Sequence, residues 1–155
     1  MKNLFVIFGN QLFDPEKLKK HGCSDVFMSE DYGLCTYEKH HKLKIYLFLC
    51  AMREYRDELE NNGIKVHYFP LDERKKDETY FDFLKSFILE KKLNNINLFE
   101  IEDKDLEKQI IDGLIQFKIE YKINSSPMFM FKREEFREVY KNNKVFRLSS
   151  FYQYG

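Results

Sequence analysis

Five short apolar runs, each parted from the next by a stretch with helical spacing, constrain what this chain can fold into. Leu4–Phe8 (LFVIF) is unbroken, the pattern of a strand covered on both faces. Asp25–Ser29, Ile64–Phe69 (ended by Pro70), Asn95–Ile101 and Ile119–Ile123 read as the other four strands. Between the first two, Asp14-Pro15-Glu16 supplies an N-cap, a first helical position and an acidic first turn for a short helix to about His21. A long helix is expected from about Thr36 to Asn62. Its apolar stripe, Ile45, Phe48, Met52, Tyr55 and Leu59, is spaced by threes and fours, and Asn61-Asn62-Gly63 stops it. Thr79–Leu93 and Asp105–Phe117 read as two more helices, the first with Phe83, Leu84, Phe87 and Ile88 inward. This alternation predicts an α/β three-layer sandwich with a mainly parallel five-stranded sheet and right-handed crossovers. After Pro127 the pattern changes: apolar Met128–Phe131, a short helix over Arg133–Lys141, then Val145–Leu148 and an aromatic tail, Phe151-Tyr152-Gln153-Tyr154.

At 155 residues the chain is expected to form one domain over 1–155 with room for a proper core. No apolar run approaches the ~20 residues that span a bilayer, and Met1-Lys2-Asn3 runs straight into a strand without a leader, so a cytoplasmic protein with no membrane partner is expected. Twenty-six basic residues balance twenty-six acidic ones, which leaves no bulk electrostatic case for direct nucleic-acid binding. Cys23, Cys35 and Cys50 lack any C-x-x-C spacing and are expected as buried, reduced thiols rather than a metal or disulfide framework.

Three loops follow strand ends and should converge on one sheet edge: Gly9–Leu12, Glu30–Tyr37 and Leu71–Asp77. That edge is where open parallel sheets bind ligands. Gly9 allows close approach to the backbone, and the Asn10 and Gln11 amides suit the edge of a heterocycle or ribitol-like hydroxyls, although the same pair could simply turn the chain. G-x-G-x-x-G and G-x-x-x-x-G-K-[ST] are both absent. Adjacent histidines on a helix point about 100° apart, so His40-His41 is not expected to hold a metal. His41 continues the apolar stripe and reads as half-buried, whereas His40 shares a face with Tyr37 and Lys44 at spacings of three and four. No catalytic residue is identified. The pairs Glu30-Asp31 and Asp72-Glu73 read as solvated carboxylates, and nothing supplies a nucleophile elbow.

Taken in order, these residues match a known pattern. The chain resembles the N-terminal domain of the photolyase-related proteins, the bacterial branch of the photolyase/cryptochrome superfamily that includes the iron–sulfur (6-4) photolyases. The family's Gly-Asp-Gln-Leu is similar to Gly9-Asn10-Gln11-Leu12 here. Its Tyr-x-x-His-His-Lys-x-Lys-Ile is similar to Tyr37–Ile45, and its Ser-Ala-Met-Arg to Cys50-Ala51-Met52-Arg53. Its later aromatic segment is matched by Met128–Phe131, Glu135-Phe136 and Phe151-Tyr152.

The resemblance implies a Rossmann-like module that holds an antenna chromophore, 6,7-dimethyl-8-ribityllumazine or a flavin-like molecule, at the carboxyl edge of its sheet. Light absorbed there would pass to a flavin in a separate helical domain that repairs DNA. That domain carries the FAD, the iron–sulfur cysteines and the DNA surface, so neither FAD nor an iron–sulfur cluster is expected in this chain, nor any catalysis by it alone. The expected pocket comprises Gly9, Asn10, Gln11, Glu30, Leu34, Tyr37, His40, Lys44 and Phe48. The expected partner is a C-terminal photolyase domain, or a helical partner docked through 128–155. Three positions depart from the family: Asn10 replaces an acid, Leu34 stands where many members have Glu, and Phe48 where a smaller aliphatic residue is common. These departures suggest an alternative, an interaction module with a degenerate ligand pocket.

Overall fold

The computed structural model describes residues 4–141. They form β1 (Leu4–Val6), α1 (Pro15–Lys20), β2 (Asp25–Ser29), α2 (Tyr32–Thr36), α3 (Lys42–Asn61), β3 (Lys65–Phe69), α4 (Tyr80–Glu90), β4 (Asn95–Phe99), α5 (Lys104–Gln116), β5 (Glu120–Asn124) and α6 (Arg133–Tyr140). The chain divides into two compact units, 1–124 and 125–155.

In the first unit all five strands are parallel, in the order β3-β2-β1-β4-β5. Alternate strand residues point to opposite faces. Leu4, Val6, Phe27, Ile96 and Leu98 therefore pack with α4 and α5 through Leu84, Phe87, Ile88, Ile110 and Leu114. Phe5, Ile7, Val26, Met28 and Phe99 pack on the other face with Leu18 of α1 and Met52, Tyr55 and Leu59 of α3. The result is a three-layer α/β sandwich of Rossmann-like type. Its turns follow local chemistry. Asp14 caps α1, accepting from the Glu16 N–H at 2.8 Å; Thr79 caps α4; and Asp103 caps α5, accepting from two amides. Gly63 closes α3 at φ +77°, a conformation that a β-carbon would strain.

The long helix expected from about Thr36 begins only at Lys42, and a short helix, α2, occupies part of the stretch expected as a loop. Asp31 accepts from the Leu34 N–H and starts α2, which ends at Thr36. His41 then caps α3, its Nδ1 accepting from the Leu43 N–H at 3.2 Å. His41 is consequently exposed and not part of the buried stripe, which begins at Ile45 and becomes fully buried only at Met52. Phe83 is partly buried against the core rather than inside it.

Of the three cysteines, only Cys23 is buried; Cys35 is half-buried and Cys50 exposed, and all three are free thiols. Among the described residues, no helix is long and apolar enough to cross a membrane, and no three His, Cys, Asp or Glu side chains gather as a metal site would require.

In the second unit, α6 begins where the Lys132 backbone N–H donates to the Glu135 carboxylate at 2.7 Å, and the rings of Phe136 and Tyr140 lie 5.2 Å apart. The predicted Val145–Leu148 segment and the aromatic tail lie outside the described residues.

Candidate functional site

Strand order decides where a ligand could lie. Connections from β1 and β4 leave the sheet in opposite directions, which opens a crevice beyond their carboxyl ends. A cavity of about 250 Å³ occupies that edge. Its back is the chain leaving β1 (Phe8 to Asn10) and β2 (Ser29 to Asp31). Its front is α2, the 37–41 linker and the first half of α3. Tyr80 of α4, with Asp103 and Leu106 at the start of α5, closes the side. A second, more open hollow of about 580 Å³ shares Asp31, Leu34, Tyr37, Tyr80, Asp103 and Leu106 with the first and continues past Asp77, Asp105 and Gln109.

Gly9, Asn10, Glu30, Leu34, Tyr37, His40, Lys44 and Phe48 all border the first cavity. Asn10 and Tyr37 thus share one concavity. Gln11 is not on its wall. Its side chain is wholly buried, with Nε2 donating to the Glu100 carbonyl at 2.9 Å and lying 3.5 Å from the Glu102 carboxylate. Asn10 donates to that same carboxylate at 2.9 Å.

The close approach expected at Gly9 is made by the protein's own side chains. A β-carbon there would meet Phe48 Cε1 at 2.4 Å and Met52 Sδ at 2.7 Å. Phe48 therefore narrows the cavity from the α3 side.

Glu30 reaches the cavity, but its carboxylate is committed elsewhere. Arg53 donates to both oxygens at 2.7 and 3.1 Å, the Tyr68 hydroxyl donates to one, and the Leu71 N–H to the other at 2.8 Å. Burial alone would raise its pKa. The hydrogen bonds from Arg53, Tyr68 and the Leu71 amide outweigh burial and hold it below the ordinary carboxylate range. Asp31 is also engaged, one oxygen accepting from the Leu34 N–H at 3.0 Å and the other from Arg74 at 2.6 Å. Arg74 is itself buried, bonded to Glu78 at 2.8 Å and stacked 3.9 Å over Phe83. The expected solvated pair Glu30-Asp31 is in fact a buried anchor tying the β2 exit to the β3–α4 loop.

The front wall is freer. Lys44 Nζ lies 3.4 Å from His40 Nδ1, and the His40 and Tyr37 rings meet edge-to-face at 5.3 Å. Lysine can only donate, so in this contact Nδ1 is the accepting atom. Cys35 lines the cavity as a thiol, its pKa raised by burial and by the negative charges of Asp31 and Glu30.

Sequence reasoning passed over Tyr80, Asp103 and Leu106. Helix starts near Thr79 and Asp105 were readable, but only the strand order shows that the β4–α5 connection borders the cavity. The 71–77 loop instead serves the second hollow through Lys76 and Asp77 and supplies Arg74 as anchor.

The cavity combines apolar walls from Ile45, Phe48, Met52 and Leu106 with a few convergent polar groups, the composition of small-molecule sites. No curated protein matches the chain. The family model described as deoxyribodipyrimidine photo-lyase-related protein matches residues 5–155, a span that contains all of the sheet but Leu4, the capped helices and every residue of the cavity. With that match added to the Tyr37–Ile45 and Gly9–Leu12 motifs and the parallel three-layer fold, the chain belongs to the deoxyribodipyrimidine photo-lyase-related protein family.

Proposed function

We propose that the cavity binds a flat, ribityl-bearing heterocycle such as 6,7-dimethyl-8-ribityllumazine or a flavin, and that the chain serves as the antenna-binding part of a light-driven DNA-repair protein when joined to a flavin-binding helical domain. The observation that carries this reading is the cavity at the crevice between β1 and β4, apolar on its broad walls and polar at Asn10, His40 and Lys44. A flat ring gains from the former, and the hydroxyls of a ribityl chain from the latter. At about 250 Å³ the first cavity suits a two-ring system, and the second hollow offers room for a tail. The test is titration of the purified chain with the lumazine and with riboflavin, followed by absorbance and fluorescence. Saturable binding at micromolar concentrations is expected; none at tens of micromolar overturns the proposal.

A second reading is an interaction module docking a separately encoded helical partner. It is favoured by one observation: Leu43, Tyr46 and Leu47 lie on the exposed side of α3 at 63, 68 and 70% exposure. Light scattering on the eluting protein, with and without a co-expressed helical domain, separates the two. A monomer that neither binds that domain nor assembles removes this alternative.

A further inference from the structure

Tyr80 is the first residue of α4 and lines both hollows. It is only 3% exposed, and its buried hydroxyl has no hydrogen-bond partner among the described residues. Its ring sits against apolar neighbours, 5.0 Å from Phe8 and 6.2 Å from Phe27. Phenylalanine would fill that space equally well, and burying a hydroxyl unpaired costs stability. The nearest charged groups do not relieve it. Asp31 spends its oxygens on Leu34 and Arg74, and Arg74 is bonded to Asp31 and Glu78. Burial and the charge of Asp31 push the Tyr80 pKa far above the ordinary tyrosine value, against the smaller opposing pull of Arg74. The group is an O–H at every physiological pH. The wall shared by the two hollows thus holds a buried hydrogen-bond donor with nothing among the described residues to donate to.

We propose that Tyr80 is a ligand-binding residue whose hydroxyl donates to a carbonyl oxygen of the heterocycle bound in the cavity. The inference rests on the chromophore-binding reading above and deepens it. It gives the ligand a required feature, a ring carbonyl, and an orientation, with the carbonyl edge toward α4 and the opposite edge toward α3. An unpaired donor in a ligand-free protein and a satisfied one in the complex is how a site rejects analogues without the acceptor.

The test is Tyr80→Phe in the full chain. Both proteins are titrated with 6,7-dimethyl-8-ribityllumazine and with riboflavin, and the thermal unfolding of each is followed without ligand. The variant is expected to bind about five- to tenfold more weakly, the range for loss of one neutral hydrogen bond. Its ligand-free unfolding temperature is expected to equal or exceed that of the parent, because no protein bond is lost. Unchanged affinity in the variant overturns the inference and leaves the chromophore reading standing. A lowered unfolding temperature, or failure to fold, assigns the hydroxyl to structure and also overturns it. Absence of binding to the parent chain overturns both.

Discussion

The ring of Phe48 lies over Gly9 so closely that no side chain larger than hydrogen fits between them: a β-carbon at position 9 would stand 2.4 Å from Phe48 Cε1. Gly9→Ala forces that ring, and the buried Met52 sulfur at 2.7 Å, to move. Overpacking of this kind costs ~1–3 kcal/mol, and the partial exposure of Phe48 places the expected loss near the low end. Denaturant unfolding of Gly9→Ala, Phe48→Ala and the double variant should give a coupling of at least ~0.5 kcal/mol in the direction of relief. Strict additivity would mean the two residues do not share this space.

The same ring bears on ligand size. Phe48→Val clears part of the cavity wall without disturbing the Met52, Tyr55 and Leu59 core of α3. Riboflavin, with three fused rings, should gain affinity more than the two-ring lumazine does. Fluorescence titration of both ligands against parent and variant measures the ratio. An equal change for the two places the ligand away from Phe48.

Glu30 gives the fold a defined acid sensitivity. Its folded-state pKa lies below the ordinary value of 4.5, so its contribution to stability is present above that pH and fades as pH falls through the lower folded value. Glu30→Gln should cost ~1.5–3 kcal/mol at neutral pH, the usual worth of hydrogen bonds to a charged group. The gap between parent and variant should begin to close as pH drops below 4.5. Unfolding temperatures measured from pH 7 to pH 3 check this; parallel curves would refute it.

Thiol chemistry reports on the cavity directly. Cys50 is exposed, Cys35 is half-buried in the cavity wall, and Cys23 is buried with its pKa pushed up to about 12 by desolvation and the nearby Asp25 charge. Alkylation of the folded chain, read by peptide mass spectrometry, should label Cys50 first, Cys35 slowly and Cys23 only on unfolding. Saturating lumazine should slow Cys35 alone.

Carboxylates dominate the second hollow, where Asp77, Asp103 and Asp105 face a single lysine, Lys76, outside the Asp31–Arg74–Glu78 anchor. A phosphorylated tail would meet like charge there. FMN is expected to bind at least about tenfold more weakly than riboflavin. Asp103→Asn should narrow that difference while keeping the α5 cap, since Asn caps as well as Asp. Equal affinity for the two flavins would place the tail elsewhere.

Strands and most helix ends were legible because their signals are local. Asp14 caps where its sequence context says, and Gly63 ends α3 through its left-handed backbone. The short helix α2 and the late start of α3 at Lys42 were not legible. Glu38 to His40 contain neither Gly nor Pro, so the helical pattern reads straight through. The restart depends on the imidazole of His41 serving as a cap, a role more often taken by Ser, Thr, Asp or Asn. The cavity's side wall escaped for a different reason. Tyr80 and Leu106 come to Gly9 only through the placement of β4 beside β1, a long-range choice that no window of sequence encodes. Glu30 stands between these cases: its position was readable, but its carboxylate's three partners come from α3, β3 and the loop after it.

That knot around Glu30 divides the labour of the molecule. The sheet exit behind the cavity is clamped to β3 and α3 by bonds that no guest needs to break, while Leu34 and Tyr37 sit on a short, separately capped segment in front. Natural variation can therefore exchange the front panel without loosening the frame on which it is hung.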